Sequence, residues 1–175
     1  YDRDEKSLAR FWAIPGTPGA MHRVGGLEKD EKTSVISTDG ANHAHMVEAR
    51  RQKVARIADS IAPVKPMLDE DADTILVGWG GTYGHLLTAA TELHNEGRKI
   101  AFHQFRYINP LPPNALDMLS RYKRIIVAEL NTGMFADYLQ MHLPAKEILR
   151  INKVEGQPFL VKEVVEGVKF HMDNH

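Results

Sequence analysis

Four glycines, Gly78, Gly80, Gly81 and Gly84, crowd the stretch DTILVGWGGTYG from Asp73 to Gly84, and they are the residues best placed to meet a ligand or another chain. Thr74 to Val77 is an apolar run that stops at these glycines and gives way to a helical period, the pattern of a buried parallel strand delivered through a turn into a helix. Bare backbone amides at such a turn can receive an anion or approach a partner's backbone. A dinucleotide site fits poorly. Its fingerprint needs glycines at the first, third and sixth positions, and counted from Gly78 the sixth is Tyr83, with Gly84 one residue late. The next strand ends at Phe105-Arg106 without the carboxylate that would hold a ribose, and no Gly-Lys-Ser/Thr marks a phosphate-binding P-loop. Close approach by a neighbouring chain is the better use of these glycines.

Other chemistry-bearing residues give weaker patterns. His43 and His45 flank Ala44, but two imidazoles without a third ligand do not define a metal site. Glu129 and Asp137 are conceivable paired carboxylates, yet Glu129, at a strand's carboxyl end beside Asn131, reads more simply as a polar loop anchor. His85, in the first turn of its helix, reads as a polar cap or interface histidine rather than a proton-transfer group. The serines are Ser7, Ser34, Ser37, Ser60 and Ser120, none at a strand-to-helix turn, and no Gly-x-Ser-x-Gly elbow exists. Arg50, Arg51, Lys53 and Arg56 suit a basic or salt-bridged helix face better than a phosphate site.

These residues need elements to position them. Residues 1–39 lack periodicity and stack turn signals, Ile14-Pro15-Gly16-Thr17-Pro18-Gly19 and Val24-Gly25-Gly26, before the charged run Glu28 to Lys32, which reads as a solvated loop. Asn42 can cap a helix running to about Ala62, with Val47, Val54, Ile57 and Ile61 on one face. After a proline-bearing linker, strands at Thr74–Val77, Lys99–Phe105, Arg124–Glu129 and Glu147–Ile151 alternate with helices at about 82–95, up to 120, from 133 to before Pro144, and about 160–169. The alternation predicts a three-layer α/β sandwich with a mostly parallel sheet, preceded by an irregular connector and one amphipathic helix. No internal repeat is evident.

The chain has 175 residues, 22 Lys plus Arg against 23 Asp plus Glu, and a formal net charge of -1, which speaks against a general nucleic-acid or membrane-surface role. It has no cysteine, so it supplies no disulfide, thiol nucleophile or cluster thiolate. It begins at Tyr1, and its first residues read as the interior of a longer protein; a cytoplasmic location is expected.

PGTPGAMHRVGGLEKDE (residues 15–31), GWGGTYG, RYINPLPPN, VAELNTGMFADYLQ and NKVEGQPF together resemble the C-terminal region of the α subunit of 2-oxoacid:ferredoxin oxidoreductases, most closely the 2-oxoglutarate type. By that resemblance, residues 1–67 correspond to the connector leaving a pyrimidine-binding domain, and 68–175 to a transketolase C-terminal-like domain. The family oxidises and decarboxylates a 2-oxoacid on thiamine diphosphate, passes electrons through iron–sulfur clusters to ferredoxin, and releases an acyl-CoA. The resemblance implies as partners the rest of the α subunit, a thiamine-binding β subunit that holds the diphosphate and Mg²⁺, and ferredoxin through the complex. The family's tyrosine-proline-x-threonine-proline segment is missing here, so no catalytic, cofactor or metal-binding residue is carried over, and the isolated chain is expected to be inactive. What transfers is a docking face at the strand ends: Gly78, Gly80, Gly81, Thr82, Tyr83 and Gly84, with Arg106, Asn109, Glu129, Asn131 and Gly133. On this reading the first 40 residues become ordered through another domain. The alternative is an autonomous anion- or nucleotide-binding module that uses the same crevice.

Overall fold

The computed structural model describes residues 2–174, and the chain divides into two compact units, 1–61 and 62–175. In the first, α1 spans Gly40–Ala55 and is capped by Asp39, whose Oδ1 accepts from the Asn42 amide at 2.7 Å. Asn42, the expected cap, lies inside the helix, because Asp39 is the acceptor that reaches the free first-turn amides. The last expected turn is a 3₁₀ helix, Arg56–Ser60.

The expected apolar stripe of α1 is turned outward. Val47, Val54 and Ile57 are 46 %, 40 % and 45 % exposed, whereas Met46 and Ala49 are buried, and Ile61 is the one member of the stripe that is covered. Polar ties to the preceding chain decide which face is covered. Asn42 donates to the Lys29 carbonyl, Arg50 and His43 bond Glu28, His45 bonds Glu31, and Arg56 donates to the carbonyls of Glu5 and Lys6. The basic face of α1 is thus salt-bridged, with Arg51 paired to Glu48.

The connector also holds a repeat that is hard to see in the sequence. Asp4-Glu5-Lys6-Ser7 and Asp30-Glu31-Lys32-Thr33 form the same small hairpin twice. In each, the Asp carboxylate accepts from the backbone and the hydroxyl of the residue three on. In each, the next residue takes a left-handed backbone, Leu8 at φ 58° and Ser34 at φ 64°. The hairpins close through the bridges Arg3–Arg10 and Lys29–Ile36. Arg3 and Arg10 then bond Glu31, through its carboxylate and its carbonyl respectively. Short Asp and Ser/Thr side chains satisfy turn amides locally, so a polar segment gains order without an apolar core. The charged run at 28–32 is therefore a structured turn, and the segment has internal ties rather than relying wholly on another domain.

The second unit is a five-stranded sheet in the order β1-β3-β2-β4-β5, comprising β1 (Met67–Leu68), β2 (Thr74–Trp79), β3 (Ala101–Phe105), β4 (Arg124–Glu129) and β5 (Ile148–Asn152). All pairings are parallel except β1 with β3. α2 (Tyr83–Asn95) and α5 (Val161–Asn174) cover one face, burying Leu86, Leu93, Val164 and Val168 against Leu76, Phe102 and Ile126. On the other face, α3 (Ala115–Ser120) and α4 (Met134–His142) bury Leu119, Phe135 and Leu139 against Ile75, Val77 and Ile125. Central strands covered on both sides need the continuous apolar runs seen in β2 and β4. This is the expected three-layer α/β sandwich.

The unit begins at Ala62, six residues before the expected Leu68, because Asn114 bonds both the amide and the carbonyl of Val64, and Met67 pairs with Phe102. No helix among the described residues is long and apolar enough to cross a membrane.

Candidate functional site

The residues expected at a docking face lie at the carboxyl ends of β2, β3 and β4, and the glycines among them do different jobs. A Cβ at Gly78 would lie 2.3 Å from Leu86 Cδ1 and 2.5 Å from Gln104 Oε1, so this glycine serves close packing inside the unit and not an open crevice. Gly80, Gly81 and Gly84 have nothing within 4 Å of where a Cβ would stand. Gly80 has φ +61°, which lets the strand break into the 3₁₀ turn Gly80–Thr82 and then α2. Thr82 is buried, and its hydroxyl donates to the Trp79 carbonyl instead of capping α2, whose first turn has no side-chain cap. Tyr83 is exposed beside it.

Glu129 is fully buried at the end of β4. One carboxylate oxygen accepts from Trp79 Nε1 at 3.2 Å, Asn131 Nδ2 at 2.8 Å and the Phe135 amide at 3.0 Å; the other accepts from the Ala136 amide at 3.0 Å. It holds the start of α4, where a negative charge meets the free amides and the positive end of the helix dipole, and it ties β4 to the end of β2 through Trp79. Asn131 Oδ1 takes the amides of Gly133 and Met134. Gly133, at φ +106°, is confined by Arg150 Nη1 and Asn152 Nδ2, 3.0 Å and 3.1 Å from a would-be Cβ. Asp137 pairs with Arg150 at 2.6 Å, so Glu129 and Asp137 have separate partners and form no carboxylate dyad.

Arg106 and Asn109 are exposed on the loop after β3, with Tyr107 beside them, and Leu130 and Met134 are exposed after β4. His85 makes no hydrogen bond or ion pair among the described residues. His43 and His45 are occupied by Glu28 and Glu31, and no group of three potential metal ligands occurs among the described residues. With Glu129 saturated by its own chain and no cysteine present, these residues do not compose a holder for thiamine diphosphate, Mg²⁺ or an iron–sulfur cluster, and no step of such chemistry is assigned to them.

Sequence reasoning missed three residues at this end of the sheet. Trp79 braces Glu129, Lys65 lies beside the end of β3, and His103, 6 % exposed, sits on β3 with Nδ1 3.2 Å from the Lys65 carbonyl. Burial pushes the His103 imidazole below its ordinary pKa, partly offset by that carbonyl. Its place in an apolar strand gave no chemical signal, since the neighbouring Lys65 comes from a distant linker.

No family model matches the sequence. The chain is 38 % identical over 167 residues to "2-oxoglutarate oxidoreductase subunit KorA" of Mycobacterium tuberculosis, a match spanning 94 % of this chain and 25 % of that protein. It is 35 % identical over 158 residues to the α subunit of 2-oxoacid:ferredoxin oxidoreductase 1 of Aeropyrum pernix, covering 86 % of this chain and 24 % of that one. Among solved structures, the 2-oxoglutarate:ferredoxin oxidoreductase of Magnetococcus marinus, with 2-oxoglutarate, coenzyme A and succinyl-CoA bound, superposes at TM-score 0.78 and 28 % identity, over 98 % of this chain and 30 % of its own. A split-gene transketolase, an inactive β4 tetramer, matches at TM-score 0.51 and 16 % identity over 65 % of this chain and 43 % of its own, which shows a shared fold alone. By sequence and by fold, then, this chain is homologous to a stretch amounting to about a quarter of the α subunit of 2-oxoacid:ferredoxin oxidoreductases.

Proposed function

We propose that the chain is the C-terminal assembly domain of a cytoplasmic 2-oxoacid:ferredoxin oxidoreductase α subunit, with 2-oxoglutarate as the substrate of the whole complex. One observation carries this reading: the likeness to such subunits runs through nearly the entire chain, in sequence and in structure. The complex would convert 2-oxoacid, CoA and oxidised ferredoxin to acyl-CoA, CO₂ and reduced ferredoxin. The chemistry would be supplied by thiamine diphosphate, Mg²⁺ and iron–sulfur clusters held by neighbouring polypeptides, the thiamine-binding β subunit among them. Residues 1–61 would be the connector leaving a pyrimidine-binding domain.

The docking face would be the open glycines Gly80, Gly81 and Gly84 with Tyr83, Arg106, Asn109, Asn131 and Gly133, braced from beneath by Gly78, Thr82 and Glu129. Bare backbone and exposed Tyr107, Leu130 and Met134 support this use, because apolar and aromatic side chains around flat backbone suit a protein partner. Co-expression with a thiamine-binding β subunit tests it. The two should copurify, and Gly81→Trp, which has room in the isolated fold, should abolish copurification and 2-oxoglutarate-dependent ferredoxin reduction. The isolated chain, given 2-oxoglutarate, thiamine diphosphate, CoA and an electron acceptor, should be inert. Turnover by that chain alone, or an undisturbed Gly81→Trp complex, would sink the proposal.

A further inference from the structure

Residues 11–27 form an arm with an ordered backbone and apolar side chains left in water. Thr17 donates to the Ile14 carbonyl through its amide at 3.0 Å and its hydroxyl at 2.7 Å, and the Ala20 amide donates to the Thr17 carbonyl at 3.2 Å. Two turns therefore follow each other, with Gly16 at φ +90° and Gly19 at φ +73°. They bring Phe11, Trp12 and Met21 to the wall of one open cavity of about 430 Å³. Trp12 is 93 % exposed and Met21 99 %, and Phe11, Ile14, Val24 and Leu27 are exposed as well. At typical aromatic areas, Phe11 and Trp12 alone present roughly 250 to 400 Å². With the other four, the arm passes the few hundred Å² that a monomer ordinarily leaves bare.

Charge and shape narrow what can cover it. Between Arg10 and Glu28 the chain carries His22 and Arg23 and no carboxylate, and the cavity wall sets Arg10, His22 and Lys32 against the one carboxylate of Asp2. A second copy would bring like charges together, which disfavours pairing of two arms. An anionic membrane selects clusters of about four to eight Lys/Arg, whereas the arm holds one arginine and encloses a cavity. A protein surface with an apolar side chain beside carboxylates fits both the cavity and the charge. On the assembly reading, on which this inference rests, the arm lies in the connector just behind the pyrimidine-binding domain, and the matched stretch is about a quarter of the curated relatives. A domain tethered by so short a linker meets the arm at an effective concentration on the order of millimolar, ahead of any separate subunit. Interfaces between domains of one chain bury roughly 600 to 1,500 Å², of which the arm can supply its half. We propose that residues 11–27 dock onto that preceding domain of the α subunit, which inserts an apolar side chain between Phe11, Trp12 and Met21 and sets carboxylates against Arg10 and Lys32.

The chain has no cysteine, so Met21→Cys gives it a single thiol at the cavity. Alkylation of that thiol by N-ethylmaleimide is followed by mass spectrometry in the 175-residue chain, in the full α subunit, and in the α subunit joined to β. The thiol should react as fast as a free cysteine in the 175-residue chain, and about tenfold or more slowly in the full α subunit without β. Adding Trp12→Asp, at a surface site, should keep the native amide spectrum of the 175-residue chain and return the α subunit to the fast rate. Equal rates in the chain and the full α subunit would overturn the proposal, as would protection that survives Trp12→Asp or appears only once β is added. So would protection of the 175-residue chain by its own rising concentration or by anionic lipid vesicles. Ferredoxin reduction by the unsubstituted α and β subunits judges the assembly reading separately: a fast thiol beside an active complex removes the arm alone, and a complex without turnover removes that reading.

Discussion

At Glu129 the chain puts a carboxylate out of reach of water and satisfies it from four donors of its own. Removing it would strand the Trp79 indole, the Asn131 amide and two backbone amides at the start of α4. Glu129→Ala should therefore cost about 3 to 5 kcal/mol, measured from denaturant midpoints, with Glu129→Gln costing less because one acceptor oxygen remains. A loss near zero would show that α4 does not depend on this anchor. His103 leads to a pH effect. Its folded pKa lies below the unfolded value of about 6.5, so the unfolded chain binds more protons between the two, and stability must fall as pH drops below about 6.5. The carboxylates Asp69 and Glu163, held low by hydrogen bonds from His94 and Lys153, contribute at lower pH, since what they add is lost only as the pH falls beneath the ordinary carboxylate range. His103→Leu should accordingly flatten the stability profile just below about pH 6.5 and leave the steeper acid limb in place.

Among the elements, the glycine turn separates two effects that look alike in sequence. Gly78→Ala forces a methyl into Leu86, Gln104 and Thr82 and should destabilise by about 1 to 3 kcal/mol. Gly84→Ala, in the open first turn of α2, should stabilise by up to about 1 kcal/mol. Thermal melts of the two variants moving in the same direction would contradict this division. The sandwich itself was legible because β2 and β4 are apolar runs with turn residues behind them, and α2 and α5 show clean inward stripes. β1 was not legible. Two residues have no period, and Met67–Leu68 is a strand only because β3 lies beside it. The buried face of α1 was misread for a related reason: charges at Glu28 and Glu31 choose the contact, and the Val47–Val54–Ile57 stripe is overruled. Of the site, the open glycines, Arg106 and the anchor role of Glu129 could be seen in one dimension. Lys65 and His103, 38 positions apart and joined by a hydrogen bond, could not.

For the molecule as a whole, the two units are stabilised by different means. Residues 62–175 fold around two apolar layers, one on each face of a sheet. Residues 1–61 rely on carboxylates, guanidinium groups and turn hydrogen bonds, with Phe11, Trp12, Met21 and Val24 left in water. Charge-based order weakens with salt while apolar order does not. Raising ionic strength should thus increase amide exchange at Asp4–Ala9 and Asp30–Val35 well before it affects β2 or β4; equal sensitivity of both units would refute the distinction. The twin Asp-Glu-Lys-Ser/Thr hairpins add an internal control. Ser7→Ala and Thr33→Ala delete one hydroxyl from one geometry in two neighbourhoods, so subtracting their effects cancels whatever the turn itself contributes. What is left is the influence of setting alone, measured inside a single polypeptide with no second protein as reference.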